Sequence, residues 1–307
     1  MKKQIITVTL NPCIDRTILV DYFKPGMTNY YRALREEVAG KGINVAIALS
    51  HFQIPVKSIG FGFDKDNEKL VDMYEKQKLS FEMVTVPGSL RSNIKIFDSV
   101  YKEMTECNER GIQIDKIYLN KFFDLLSISL KSCSQLVVNG SVPQGVPTDS
   151  YNKMIYMANE EGIPSILDTV GELLLEGMKE RPFLIKPNKE EFIKTFEVEE
   201  KDIEKKALEI VRQNGIQNVC VSLGKDGAIL VNKKGVHRMG AIKVDVKGLQ
   251  GAGDAMVAGI CKAVWEDKED CILPYALASA ASAVMREGTQ MGNLNNFNSL
   301  LNSIGNS

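Results

Sequence analysis

The sequence predicts an α/β fold in which helices cover both faces of a mostly parallel central sheet. Short apolar segments alternate with amphipathic segments along most of the 307 residues. The short segments are apolar almost throughout, as expected for parallel strands buried on both faces. With 44% apolar residues, the chain is long enough to bury one large core. We therefore expect a single domain over residues 1–307.

Each predicted element follows from its hydrophobic period. Strands are predicted at 5–10, 58–62, 135–140, 164–168, 183–187 and 218–223. Helices are predicted at 42–52, 65–77, 114–132, 148–161 and 201–213. After residue 223 the pattern changes to an antiparallel pair over 228–244 and helices at 253–266 and 270–287. Ligands of such a sheet bind beyond the carboxyl ends of its strands.

Two early segments do not fit the layered core. Residues 16–38 and 90–104 alternate apolar and polar side chains, which is typical of strands exposed on one face. We expect them to form a small β-sheet that projects over the ends of the central strands. A sheet in that position would act as a lid.

Composition excludes several classes of function. The net charge is −1 and no long basic run occurs, which argues against a nucleic-acid partner. The six cysteines include no CxxC pair, so neither a disulfide framework nor a zinc site is predicted. No segment approaches the ~20 apolar residues of a membrane span, and the N-terminal apolar run is too short for a signal peptide. These features predict a cytoplasmic protein that binds small molecules and no membrane.

The segment GAGD places Gly251, Ala252 and Gly253 before Asp254 at the start of a small-residue helix. Free backbone N–H groups and the positive end of the helix dipole favour an anion there. These three residues are candidates for an anion hole, and Asp254 is a candidate general base for a substrate hydroxyl. The alternative is an ordinary helix start with Asp254 as its N-cap.

Two further segments carry polar groups suited to a sugar ligand. In AGKGINVA, Gly40 allows close approach to the backbone, Lys41 supplies positive charge, and Asn44 lies in the first turn of the helix. The spacing is not that of a GxxxxGK[ST] loop, and a solvated turn is the alternative. In TLNPCID, Asp15 is expected at the end of the first strand, where it would accept hydrogen bonds from hydroxyls. Its alternative is a routine turn residue.

Two later segments suit a nucleotide. In KPNKEEF, Asn188 and Glu191 lie at i, i+3 and could organise a hydrated magnesium ion. The alternative is an N-cap with its partner acid. In VSLGKDGA, Ser222, Gly224 and Gly227 suit either a nucleotide phosphate or a tight hairpin.

In their order along the chain, these segments resemble the ribokinase-like PfkB sugar kinases, and most of all the 1-phosphofructokinases and tagatose-6-phosphate kinases. The resemblance covers almost the whole chain and includes LRSNIKI and NGSVPQGVP. It implies a Rossmann-like domain with a β lid, ATP as the phosphoryl donor, and Mg²⁺. Related kinases often pair through their lids, which suggests a homodimer.

The resemblance also implies roles for matched positions. Asp254 corresponds to the catalytic base, beside an anion hole of Gly251, Ala252 and Gly253. Contacts to the sugar phosphate are implied for Asp15, Gly40, Lys41, Asn44 and Arg91. Asn188 and Glu191 match the motif linked to magnesium and phosphate, and the nucleotide segment is matched by Ser222, Gly224 and Gly227. Leu249, followed by Gln250, departs from the small polar or β-branched residue expected two positions before GAGD.

The leading hypothesis is an ATP-dependent kinase that converts a ketohexose monophosphate to a bisphosphate. Fructose 1-phosphate and tagatose 6-phosphate are the candidate acceptors. Arg91 favours a phosphorylated acceptor because a guanidinium can bind phosphate through two hydrogen bonds. The alternatives are a kinase of an unphosphorylated sugar or nucleoside, and a non-catalytic sugar-phosphate sensor, which Leu249 suggests. A dehydrogenase is disfavoured because no glycine fingerprint follows the first strand.

Overall fold

The computed structural model of the protein describes residues 3–286 and 290–305. Its strands are β1 (Gln4–Thr9), β2 (Cys13–Val20), β3 (Tyr31–Ala39), β4 (Val56–Phe63), β5 (Ser80–Val86), β6 (Arg91–Asp98), β7 (Glu103–Asn108), β8 (Cys133–Asn139), β9 (Ser165–Asp168), β10 (Leu184–Ile185), β11 (Asn218–Ser222), β12 (Ala228–Asn232) and β13 (Gly235–Met239).

The helices alternate with the strands over most of the chain. They are α1 (Lys41–His51), α2 (Asn67–Lys76), α3 (Lys116–Leu130), α4 (Ser150–Glu160), α5 (Gly171–Met178), α6 (Lys189–Phe196), α7 (Ile203–Asn214), α8 (Ala252–Trp265), α9 (Ile272–Val284) and α10 (Leu294–Gly305). No helix within residues 3–286 and 290–305 is long and apolar enough to cross a bilayer.

The central sheet has nine strands in the order β13-β12-β11-β10-β9-β8-β1-β4-β5. It is parallel from β5 to β11, and β12 and β13 add an antiparallel end. The strands near its centre are buried almost throughout, because helices cover the sheet. The predicted α/β class with a mostly parallel sheet is confirmed.

A second sheet of four strands has the order β3-β2-β6-β7. Its central pair β2 and β6 is parallel, and β3 and β7 join the outer edges as antiparallel strands. The small second sheet is therefore confirmed, although its strands begin at Cys13 and end at Asn108, outside the predicted 16–38 and 90–104. Its action as a lid stays a prediction, as does the single-domain boundary.

Several elements differ from the sequence prediction. β5, at the edge of the central sheet, was not predicted because exposed polar residues interrupt its apolar run. The predicted antiparallel pair over 228–244 is present as β12 and β13 but ends at Met239. The helix predicted at 270–287 is α9, which ends at Val284; residue 287 lies outside the described ranges.

The sheet order brings distant parts of the chain to one edge. β1, β8, β9 and β10 are consecutive neighbours and run parallel, so their carboxyl ends lie side by side. The helices α1 and α8 pack against each other over the same edge. This edge is the place where an α/β sheet binds its ligands.

Candidate active site

Asp254 lies in the first turn of α8 and is buried, with 7% of its surface exposed. The N-cap of this helix is Gly251, whose φ of 74° lies in the left-handed region that favours glycine. The alternative interpretation of Asp254 as the N-cap is therefore wrong. Because Gly251 supplies the turn, the Asp254 carboxylate is available for other contacts.

Asn44 brings a second helix to this carboxylate. It lies in the first turn of α1, and its Nδ2 donates a hydrogen bond of 2.7 Å to Oδ2 of Asp254. Close packing of α1 on β1 depends on Gly42, where an added Cβ would lie 2.3 Å from the carbonyl oxygen of Val8. The two helix starts are thus held at a fixed separation across the strand ends.

Burial raises the pKa of Asp254 to about 6. The positive charge of Lys41 and the hydrogen bond from Asn44 oppose this shift, while the negative charge of Asp168 adds to it. A carboxylate with a pKa close to neutral can accept a proton efficiently near physiological pH. The environment of Asp254 therefore suits a general base.

Two buried charges beside Asp254 had no role in the sequence prediction. Asp168 ends β9 and Lys186 follows β10; they are 1% and 3% exposed, and their charged atoms lie 3.3 Å apart. Nζ of Lys41 lies 3.5 Å from the same carboxylate, and Asp168 is the main cause of a raised pKa at Lys41. A charged residue at the carboxyl end of an apolar strand was the sequence signal that could have identified Asp168 and Lys186.

Lys186 also lies close to the start of α8. Its Nζ is 3.7 Å from the position that a Cβ on Gly253 would occupy. An ammonium group and the positive end of a helix dipole repel each other unless negative charge lies between them. The predicted anion hole of Gly251, Ala252 and Gly253 therefore has a cation beside it, which favours an anionic ligand at this place.

Asp15 lies in the small sheet, as the third residue of β2, and not at the end of β1 as expected. Strand β1 ends at Thr9. The residues Asn11–Pro12 belong to no strand, and the chain enters the second sheet at Cys13. Oδ1 of Asp15 accepts a 2.9 Å hydrogen bond from Asn93, and Oδ2 lies 2.6 Å from Nζ of Lys95. All three side chains are buried.

Arg91 begins β6 and is held by a backbone carbonyl and by a side-chain amide. Its Nε donates to the carbonyl oxygen of Asn11 at 3.1 Å, and its Nη1 donates to Oδ1 of Asn93 at 2.8 Å. It lines a pocket of about 260 Å³ together with Gly40 and Lys41. The other residues of this pocket are Thr9, Leu10, Asn11, Asn139, Gly140, Ser141, Thr169, Val170, Leu173 and Glu191.

Asn188 and Glu191 form the capping box of α6, which is the structural alternative considered from the sequence. Oδ1 of Asn188 accepts from the Glu191 N–H, and Oε2 of Glu191 accepts from the Asn188 N–H, both at 2.8 Å. Oε1 of Glu191 is not used by the box, and Glu191 lines the same pocket as Lys41. No group of three or more His, Cys, Asp or Glu suited to a metal occurs among the described residues.

Ser222 and the two glycines lie in a hairpin, as one of the two interpretations expected. Ser222 ends β11, a short 3₁₀ turn spans Gly224–Asp226, and β12 follows Gly227. Ser222 also forms a parallel bridge with Asn188. The hairpin thus lies beside the start of α6, at the same edge as Lys186.

Comparison with known proteins decides the family. A family model described as pfkB family carbohydrate kinase matches residues 8–296. The chain belongs to the pfkB family. The predicted resemblance is confirmed, and with it the prediction of an enzyme that phosphorylates sugars.

Curated pfkB relatives have names that agree with the prediction. The chain is 30% identical over 288 residues to a 1-phosphofructokinase of Xanthomonas campestris, covering 92% of this chain and 91% of the relative. It is 28% identical over 306 residues to a tagatose-6-phosphate kinase of Staphylococcus epidermidis, covering 98% of each. Both relatives are thus similar over nearly their full lengths.

Solved structures confirm the fold of this pfkB chain. A possible 1-phosphofructokinase of Thermotoga maritima superposes with a TM-score of 0.88 at 26% identity and 97% coverage of both chains. A ribokinase of the same organism superposes with a TM-score of 0.78 at 21% identity, covering 97% of this chain and 99% of that chain. The second likeness concerns the fold alone, which is ribokinase-like as predicted.

Proposed function

We propose that the protein transfers the terminal phosphoryl group of ATP to a hydroxyl of a ketohexose monophosphate, which gives the bisphosphate. The observation that carries this proposal is the buried Asp254 carboxylate, with a pKa of about 6, beside the start of α8 and the Lys186 ammonium. A base and a site for negative charge lie together there. Phosphoryl transfer needs these groups and good alignment, and needs little covalent chemistry from the protein.

Asp254 takes the proton of the acceptor hydroxyl. As this O–H bond breaks, a lone pair of the oxygen forms the new bond to the terminal phosphorus of ATP. The bond from that phosphorus to the bridging oxygen breaks, and ADP leaves with the electron pair. Asn44 occupies Oδ2 of Asp254, which directs Oδ1 to the acceptor hydroxyl.

Negative charge on the transferred group is met by fixed positive groups. The N–H groups of Gly251, Ala252 and Gly253 at the start of α8 form the anion hole, and that of Ala252 gives up its long, 3.5 Å hydrogen bond to the carbonyl oxygen of Leu249 to do so. Lys186 adds a full positive charge at the same place, and Asp168 holds it there. Because the ion pair with Asp168 holds Lys186, this charge needs little reorganisation to stabilise the transition state.

Magnesium fits the donors on the nucleotide side. Oε1 of Glu191, which the capping box does not use, would hold the ion through its waters, since Mg²⁺ keeps several waters and takes few protein ligands. When bound, the ion supplies neutralisation of the ATP phosphate oxygens. Asn188 orients Glu191 through the capping box, and Ser222, Gly224 and Gly227 border the nucleotide.

The acceptor lies in the pocket lined by Gly40, Lys41 and Arg91, with Asp15 on the adjoining strand β2. Arg91 binds the phosphate that the acceptor already carries, and Asp15 accepts hydrogen bonds from its hydroxyls. The names of the curated relatives support fructose 1-phosphate and tagatose 6-phosphate as acceptors. Lys41 places positive charge between this pocket and Asp254.

Apolar side chains on the small sheet support pairing of two copies through it. Tyr31 and Leu34 lie on β3 and are 60% and 48% exposed, and Tyr30, which directly precedes the strand, is 85% exposed. Large exposed apolar side chains that lie close together in the chain are a feature of interaction surfaces. Sedimentation of the wild type beside Leu34→Glu tests the homodimer, and a monomeric wild type would contradict it.

A coupled assay of ADP release tests the function. Fructose 1-phosphate, tagatose 6-phosphate, fructose 6-phosphate and ribose are offered to the wild type and to Asp254→Asn. We expect turnover with a ketohexose monophosphate, and a loss of about 10²–10⁴ in the variant with ATP binding retained. Turnover with ribose alone would favour a kinase of unphosphorylated sugars. Saturable binding without ADP release would favour a sensor.

A further inference from the structure

The side chain of Asn139 is a buried amide whose polar atoms are unsatisfied among residues 3–286 and 290–305. It ends β8 and is 2% exposed, and neither Oδ1 nor Nδ2 has a hydrogen-bond partner within the described part of the chain. Buried polar groups are nearly always paired, because an unpaired one loses its hydrogen bonds to water without replacement. An amide left with both its donor and its acceptor unpaired therefore needs an explanation.

Asn139 belongs to a row of polar side chains on one face of the sheet. Its register partner on β9 is Asp168, and on the other side β8 pairs with β1 up to Val138 and Val8. Thr9, the next residue of β1, continues that register, and its Oγ1 is also buried without a partner. The two unpartnered side chains are thus neighbours in the row that contains Asp168.

This row forms part of the acceptor pocket. Asn139 and Thr9 both line the pocket of about 260 Å³ that also contains Lys41 and Arg91. The charged residues of the pocket account for a phosphate, but they leave the amide and the hydroxyl unexplained. A group that satisfies Asn139 must both donate and accept a hydrogen bond, and a hydroxyl does both.

We propose that the side-chain amide of Asn139 hydrogen-bonds a hydroxyl of the sugar-phosphate acceptor and thereby determines which ketohexose phosphate the site prefers. This inference rests on the proposed function. A resident water bridging Asn139 and Thr9 has the same hydrogen-bonding chemistry. The experiment must therefore separate a sugar hydroxyl from a water.

Asn139→Leu replaces the amide by an apolar side chain of similar size. We measure the affinity for fructose 1-phosphate and tagatose 6-phosphate by calorimetry, the KM for ATP, and the melting temperature without ligands. We expect the affinity for the preferred acceptor to fall about 10–100-fold, because the hydroxyl loses its partner on binding. The KM for ATP should not change, and the melting temperature should stay the same or rise. Asn139→Ala gives the same comparison if leucine does not fit.

Monodeoxy forms of the preferred acceptor identify the hydroxyl. One of them should bind the wild type about 10–100-fold more weakly than the parent sugar, yet bind Asn139→Leu as well as the parent does. Ser165→Ala is the matched control. Ser165 begins β9, whereas Asn139 pairs with the last residue of that strand, and the Oγ of Ser165 is also buried without a partner among the described residues. This control should leave acceptor affinity unchanged.

The outcomes separate the two proposals. A lower melting temperature in Asn139→Leu with unchanged acceptor affinity would assign a resident water and overturn this inference alone. Equal effects of Asn139→Leu and Ser165→Ala on acceptor affinity would overturn it as well. A wild type that binds neither sugar phosphate would overturn the proposed function together with the inference.

Discussion

The side-chain amide of Asn44 donates a 2.7 Å hydrogen bond to Oδ2 of Asp254, which joins the first turn of α1 to the first turn of α8. The bond uses one of the two carboxylate oxygens and restrains the plane of the carboxylate. It also favours the ionised form of Asp254, against the larger effect of burial. Orientation and charge at the proposed base therefore depend on a residue of another helix.

The activity of the enzyme should fall at acid pH. Burial raises the pKa of Asp254 to about 6, and only the ionised carboxylate can accept a proton. Going down in pH, kcat/KM should begin to fall near pH 6 and then drop tenfold per unit. The check is a pH profile of kcat/KM for the acceptor at saturating ATP. A profile flat down to pH 4.5 would show that no group with this pKa is needed in its basic form.

Asn44→Ala should move that acid limb to higher pH. Because the hydrogen bond from Asn44 lowers the pKa of Asp254, its loss raises the pKa, by about half to one unit. The same profile of kcat/KM measures the shift. Asn298→Ala, an exposed asparagine on α10, is the control and should leave the limb in place. A limb that moves to lower pH would contradict the role of this bond.

Removing one partner of the buried pair of Asp15 and Lys95 should strongly destabilise the protein. Both side chains are buried, so Lys95→Met leaves an unpaired carboxylate and should cost about 3–5 kcal/mol in the free energy of unfolding. Adding Asp15→Asn should recover part of this loss, because a neutral amide needs no counter-charge. Urea unfolding of the two single variants and the double variant measures these free energies.

The exposed pair of Arg16 and Glu36 provides the comparison on the same strand. Its side chains are 41% and 46% exposed and 2.6 Å apart, so Arg16→Met should cost at most about 1 kcal/mol. If Lys95→Met cost no more than Arg16→Met, burial would not be what makes the loss of one partner costly.

Much of the fold could be predicted because the central strands are apolar almost without interruption. The strands β1, β8 and β11 lie close to their predicted ranges for that reason. The edge strand β5 was missed, since one of its faces is exposed and its pattern is mixed. Periodicity reports burial, and it therefore fails where a strand is only partly buried.

The site could be predicted less completely, because local sequence patterns do not determine the order of strands in a sheet. Asp254 and Asn44 were identified from their motifs, and the structure brings them together. Asp168 and Lys186 meet only because β9 and β10 are neighbours, and Lys95 meets Asp15 only because β2 pairs with β6. Such partners become visible once the order and register of the strands are known.

Arg91→Ala should weaken the binding of a phosphorylated acceptor. The guanidinium is held beside the pocket by Asn11 and Asn93, and loss of a charge-assisted bond to phosphate should raise the acceptor KM about 10–100-fold. The KM for ATP should not change. Arg91→Lys keeps the positive charge but cannot bind the phosphate through two parallel hydrogen bonds, so the acceptor KM should rise less than in Arg91→Ala. An unchanged KM for sugar phosphates in Arg91→Ala would show that Arg91 does not bind the phosphate.

Binding of the acceptor should protect the small sheet from hydrogen exchange. Asp15 and Arg91 lie on its two central strands, β2 and β6. An acceptor bound by both residues would therefore stabilise the small sheet over the pocket and reduce its local opening. Exchange measured with and without sugar phosphate should slow over Cys13–Val20 and Arg91–Asp98. The distant hairpin of β12 and β13 should not change. Unaltered exchange in the small sheet, or equal slowing in the distant hairpin, would contradict its action as a lid.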